Sequence, residues 1–156
     1  MNRLTEKQDV ISKDLIFLDS RLSDQDAIIH YLVDKAQAAN YIKDADDFFA
    51  AVKAREKEVP TAIGYSVAIP HGKSDTVLSP FIAFLRLKEE VKWSGQNEER
   101  VRLVFLIGVP EKSEGKLHLK FISELSKKLL DEGFRQELLK QATADAAFAQ
   151  LSAVDL

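Results

Sequence analysis

Apolar and polar positions change their period along this chain, and the changes mark its elements. Ile28, Ile29, Leu32, Val33 and Ala36 recur at helical spacing, while Asp26, His30 and Asp34 fall on the opposite face at four-residue intervals. Ser23-Asp24-Gln25-Asp26 precedes them as a capping-box pattern with a shorter acid at its last position. Asp44 can cap a second helix, with Asp47 near its first turn. That helix is expected to run to about Glu58, because Pro60 blocks further helix soon after. Upstream, the short apolar run Asp14 to Asp19 reads as a first strand, its rival being a helix start. Residues 1–12 are polar and are expected to be loose.

The middle of the chain loses the helical period. Val67-Ala68-Ile69, Phe81 to Leu85 and Val101 to Val109 read as three strands. The last two are apolar nearly throughout, as strands covered on both faces are. Trp93 to Asn97 between them is a turn by composition. After a loop at Pro110 to Gly115, Leu117, Phe121, Ile122, Leu125 and Leu129 form the stripe of a long helix, which Gly133 is expected to break. Phe134, Leu138 and Leu139 mark a second helix, and Thr143 can cap a third. The order β-α-α-β-β-β-α-α-α predicts an α/β fold, a sandwich with a mixed sheet and helices on both faces.

Composition narrows the function. The 156 residues suit one ordinary domain, and 46% apolar residues suffice for a core without disulfides. A net charge of −3 speaks against a generally basic nucleic-acid binder. The chain has no cysteine, which removes disulfide scaffolds, thiolate metal sites and cysteine nucleophiles. The longest apolar runs fall far short of the roughly 18 residues of a membrane span. Met1 to Glu6 carries no apolar signal core, so the expected location is cytoplasmic.

The familiar phosphate-binding and hydrolase motifs are missing, and the histidines carry what chemistry remains. His30, between Asp26 and Asp34, reads as a surface residue. His71 ends Val67-Ala68-Ile69-Pro70-His71-Gly72-Lys73. Pro70 fixes its own φ and holds Ile69 extended, so the imidazole is presented from a stiff backbone. Gly72 leaves no side chain to obstruct a partner approaching the ring. Two readings stand on these residues: a nucleophile met by a macromolecule, and a turn histidine after a proline. His118 borders the apolar stripe of its helix, where a half-buried structural histidine is the first reading. Arg55 falls on the apolar face near a helix end, either snorkelling to solvent or holding charge near an anion site. The separations of His30, His71 and His118 contain no short ligand pair, so no metal is expected.

Arg55-Glu56, Pro60-Thr61-Ala62-Ile63-Gly64 and Val67-Ala68-Ile69-Pro70-His71-Gly72, followed by Val101 to Pro110 and His118-Leu119, together form a specific pattern. Over about residues 13 to 152 the chain resembles the fructose/mannitol-type enzyme IIA components of the bacterial phosphoenolpyruvate:sugar phosphotransferase system. The resemblance implies a three-layer α/β/α sandwich acting as a single phosphocarrier domain over residues 1–156. It implies that His71 accepts a phosphoryl group from phosphorylated HPr and passes it to a cysteine of enzyme IIB, with His118 and Arg55 beside it and no cofactor. Since this chain has no cysteine, that acceptor would lie on a separate chain, working with a membrane enzyme IIC. Thr61 or Ser74 can add a hydroxyl donor, and an apolar docking patch is expected around Ile69 and Val77. Ala62 and Ser66 stand where the family usually has glycine, which is expected to tighten the loop. A regulatory role, as in nitrogen-related branches, shares the same histidine. So does a binding module with a relict site.

Overall fold

The structure is a computed structural model that describes residues 10–95, 98–112 and 117–154, without the side chain of His118. Among these residues the order is β1 (Ile11–Ser20), α1 (Gln25–Ala38), α2 (Ala45–Glu58), β2 (Ala62–Gly64), β3 (Val67–Ala68), β4 (His71–Ser74), β5 (Phe81–Lys92), β6 (Arg100–Pro110), α3 (Leu117–Leu129), α4 (Glu132–Lys140) and α5 (Ala144–Ser152). The expected order holds, with two short strands, β2 and β4, added on either side of β3. β1 begins at Ile11, so residues 11 and 12 are strand rather than loose chain. Residues 1–9 lie outside the described residues, as do 96–97 of the Trp93 turn and 113–116 of the following loop.

The caps follow local chemistry. Asp44 accepts from the Asp47 N–H and Thr143 from the Ala146 N–H, as expected. At α1 the cap is Asp24 rather than Ser23, its carboxylate accepting from the Ala27 N–H at 2.8 Å. Gly133 does not break the long helix. α3 ends at Leu129, and Asp131 caps a new helix by accepting from the Gly133 N–H, which places Gly133 in the first turn of α4. A side-chain acceptor, not backbone freedom, makes that break.

β6 organises the sheet. It pairs antiparallel with β5 on one side and parallel with β3 and β4 on the other, and β1 lies parallel to β5 at the far edge. Both edges and both faces of β6 are therefore covered, which accounts for its apolar run. Alternate residues of β5 and β6 enter different layers. Phe81, Ala83, Leu85, Val104 and Leu106 pack with α1 and α2. Ile82, Phe84, Leu103, Phe105 and Ile107 pack with α3, α4 and α5. The result is the three-layer α/β/α sandwich.

β3 and β4 are one line of chain interrupted by Pro70. That residue has no N–H to give, but its carbonyl accepts from the Ile107 N–H at 3.0 Å and keeps the line against β6. β2 folds back on β3 through Tyr65 and Ser66, both left-handed with φ of 59° and 65°. Two-residue hairpins favour this twist, yet a β-carbon there costs roughly 1–2 kcal/mol per residue. The tightening expected at the two replaced glycines therefore divides. Ser66 bears it, and its hydroxyl donates to the Glu90 carboxylate. Ala62 sits in β2 outside the left-handed region.

Candidate functional site

The short strand β4 presents His71 at the edge of the sheet, where α2 from one layer and α3 from the other both reach it. A depression of about 480 Å³ lies there. Ala51 and Arg55 of α2, Pro60, Thr61, Ile63 of β2, Ile69, Leu119 and Ile122 of α3, and His71, Gly72 and Lys73 of β4 line it. Two of the expected site residues, His71 and Arg55, thus line one depression although α2 and β4 are separate elements. His118 belongs to α3, but its side chain lies outside the described residues. Its helix neighbours Leu119 and Ile122 reach the depression.

The half-buried His71 ring has its Nδ1 3.0 Å from the Ile69 carbonyl oxygen. A carbonyl oxygen can only accept, so Nδ1 carries the proton and the lone pair of the neutral ring is on Nε2. Ile69 can offer this oxygen because the chain is held extended before Pro70. Its N–H points the other way, donating to the Thr61 carbonyl at 3.0 Å. Ile69 itself is buried, its side chain packed in the core.

Arg55 is half-buried at the end of α2, and its Nη1 donates to the Val59 carbonyl at 2.9 Å. A cation here complements the negative end of the helix dipole. This hydrogen bond, itself exposed, orients the guanidinium at the rim of the depression. Lys73, two residues after His71 on the same strand, adds a second positive charge to the lining. Reading the sequence did not single it out, although residues two apart on a strand share a face. Two cations beside an imidazole suit an anionic group.

Other expectations change. Gly72 does not serve mainly to clear access to the ring. It is buried, and a β-carbon on it would meet Phe48 and Val52 of α2 at 3.0 Å. Its absent side chain lets α2, and with it Arg55, approach β4. The hydroxyls of Thr61 and Ser74 are also otherwise engaged. Thr61 donates to the Glu56 carboxylate. Ser74 accepts from the Thr76 N–H at 3.1 Å and is not among the lining residues. Ile69 and Val77 are core residues, 2% and 3% exposed, and form no surface patch. The exposed apolar residues near His71 are instead Ile63 and Leu119 on the lining, with Val59 beside Arg55. His30 lies elsewhere, exposed and stacked on Phe49 with ring centroids 3.7 Å apart. No helix among the described residues is long and apolar enough to cross a membrane.

Residues 9–154 match the family model of the phosphoenolpyruvate-dependent sugar phosphotransferase system, EIIA 2. The chain is 32% identical over 137 residues to the fructose-specific EIIA component of Haloferax volcanii, covering 88% of each. It is 31% identical over 138 residues to the fructose-specific EIIABC component of Bacillus subtilis, covering 88% of this chain but 22% of that longer protein. Among solved structures, the nitrogen regulatory protein IIA-Ntr of Neisseria meningitidis superposes with a TM-score of 0.83 at 28% identity, covering 91% of this chain and 96% of that one. The mannitol IIA of Escherichia coli gives 0.77 at 25% identity, covering 90% and 97%. The chain belongs to the EIIA 2 family of the phosphoenolpyruvate-dependent sugar phosphotransferase system.

Proposed function

We propose that the chain is a phosphocarrier of a sugar phosphotransferase system, taking a phosphoryl group from phosphorylated HPr onto His71 and handing it to a cysteine of enzyme IIB. The observation that carries this reading is the Nδ1 contact of His71 with the Ile69 carbonyl, inside a depression shared with Arg55. Phosphoryl transfer depends chiefly on in-line placement and charge stabilisation. With Nδ1 protonated and held, the Nε2 lone pair forms the new N–P bond. The bond from phosphorus to the donor breaks, and its electron pair leaves with the donor. In the second transfer a thiolate forms the S–P bond and the pair returns to Nε2. Arg55, Lys73 and His118 stabilise the negative charge on the moving group. The exposed Ile63, Leu119 and Val59 offer the apolar surface that each protein partner covers in turn.

The fructose-specific relatives support a transport role, with enzyme IIB and a membrane enzyme IIC as further components and the carrier acting in the cytoplasm. The chain contains no cysteine, so a cysteine acceptor lies outside these 156 residues. The test is to incubate the protein with phosphoenolpyruvate, enzyme I and HPr, then map the label by mass spectrometry under alkaline conditions. One phosphoryl group on His71, discharged by a fructose-type enzyme IIB, is expected. Labelling elsewhere, or none, would sink the assignment.

Two variants refine the roles. Arg55→Ala should fold and lower the transfer rate about 100-fold, as loss of one charge-stabilising donor does. A wild-type rate by rapid quench would remove Arg55 from the mechanism. His118→Ala should still fold and accept the phosphoryl group but transfer it poorly to enzyme IIB. Wild-type rates in both directions would count against any role for it.

A further inference from the structure

Glu56 is next to Arg55 in α2 but faces inward and is 4% exposed. Acids are seldom buried so completely without donors around them. Here the donors converge from the segment just after α2 and from two distant ones. The Thr61 N–H donates to Oε1 at 3.2 Å and the Thr61 hydroxyl to Oε2. The Trp93 indole N–H donates to Oε1 at 3.1 Å, and the Gln25 side chain reaches the same oxygen at 3.5 Å. The carboxylate therefore clamps the residue that follows the α2 turn by both of its donors.

Thr61 leads directly to the reacting ring. Its carbonyl accepts from the Ile69 N–H at 3.0 Å, and the Ile69 carbonyl in turn meets His71 Nδ1 at 3.0 Å. Each residue is held by one backbone group and holds the next by the other. We infer that Glu56 is a positioning residue that sets the tautomer and orientation of His71 through Thr61 and Ile69. Releasing Thr61 lets the Ile69 carbonyl drift, and Nδ1 loses the acceptor that keeps its proton there. The assignment of a reactive role to the ring rests on the phosphocarrier reading; the placement of the ring by Glu56 does not.

The test uses the full chain labelled with ¹⁵N-histidine, studied near pH 8, where an ordinary imidazole of pKa about 6.5 is neutral. Comparison with His71→Ala identifies the His71 signals. The wild type should show a pyrrole-type Nδ1 and a pyridine-type Nε2. Glu56→Gln, which keeps the shape but turns one acceptor into a donor, should shift the ring toward a mixture of tautomers. Its kcat for phosphoryl acceptance should fall about tenfold with little change in KM for phospho-HPr, as a small misplacement of a reacting group does. A folded Glu56→Gln that keeps the wild-type ring signature overturns the inference. Should that variant fail to fold, Thr61→Val, which deletes only the hydroxyl link, is judged by the same signature. If the wild type takes up no phosphoryl group, the phosphocarrier reading fails, while the ring signature still decides the role of Glu56.

Discussion

His71→Ala is expected to fold normally and take up no phosphoryl group from phosphoenolpyruvate through enzyme I and HPr. The fold should survive because His71 contributes to the sheet by its backbone. β4 is registered against β6 with His71 opposite Ile107, and alanine keeps that pairing. The ring is half-buried at an edge, not part of either apolar layer. Loss of function should be complete because, among the described residues that line the depression, His71 carries the one imidazole. Arg55 presents a guanidinium, a fork of donors with no acceptor. The Thr61 hydroxyl is committed to Glu56. Circular dichroism checks the first half of the expectation and intact-mass spectrometry under alkaline conditions the second. Stoichiometric labelling of a folded His71→Ala would end the assignment.

Gly108→Val should damage the fold severely. Gly108 lies between Gly72 on β4 and Phe81 on β5 in one row across the sheet. The Phe81 ring lies over it, so a β-carbon would come within 2.3 Å of Cε1 and 3.0 Å of the Phe48 ring. Both phenylalanines are fully buried, with ring centroids 5.8 Å apart, and have nowhere to move without displacing α2. Overpacking of this kind costs about 3 kcal/mol, the upper end of the usual range. For a chain of this size that lowers Tm by about 6–12 °C. Thermal unfolding followed by circular dichroism measures it. An unchanged Tm would mean that Phe81 can swing aside at no cost. The two glycines also bear on function, because α2 packs over Gly72 and carries both Arg55 and Glu56.

Much of the frame was legible in the chain because its causes are local. The inward faces of α1 and α2 follow from residues three and four apart, and Asp44 and Thr143 cap where their side chains reach a nearby N–H. Local causes also explain the near misses. Asp24 and Ser23 are adjacent good caps, and the helix-end signals Asp131 and Gly133 lie two residues apart, so composition could place each boundary only within a residue or two. β4 was not legible at all. His71-Gly72-Lys73-Ser74 has no apolar alternation, and these residues are a strand only because β6 offers them a free edge.

The histidine itself stood out through Pro70, Gly72 and the wider Ala68-Ile69-Pro70-His71 pattern, and with it the family. Of its surroundings only Arg55 and His118 stood out with it. Glu56 looks in the sequence like Glu58, an acid near a helix end. Only the fold turns one to solvent and brings Trp93 and Gln25 onto the other. Ile69 looked like a docking residue until the α3 layer covered it, while Ile63 and Leu119 were left exposed. The sequence by itself determined the helices, the longer strands and their order, and singled out His71, since periodicity, caps and a proline act within a turn of chain. The tertiary structure alone decided which acceptor holds Nδ1, that Lys73 joins Arg55 on the lining and why Gly72 is glycine. Those depend on contacts between α2, β4 and β6, which no local pattern encodes.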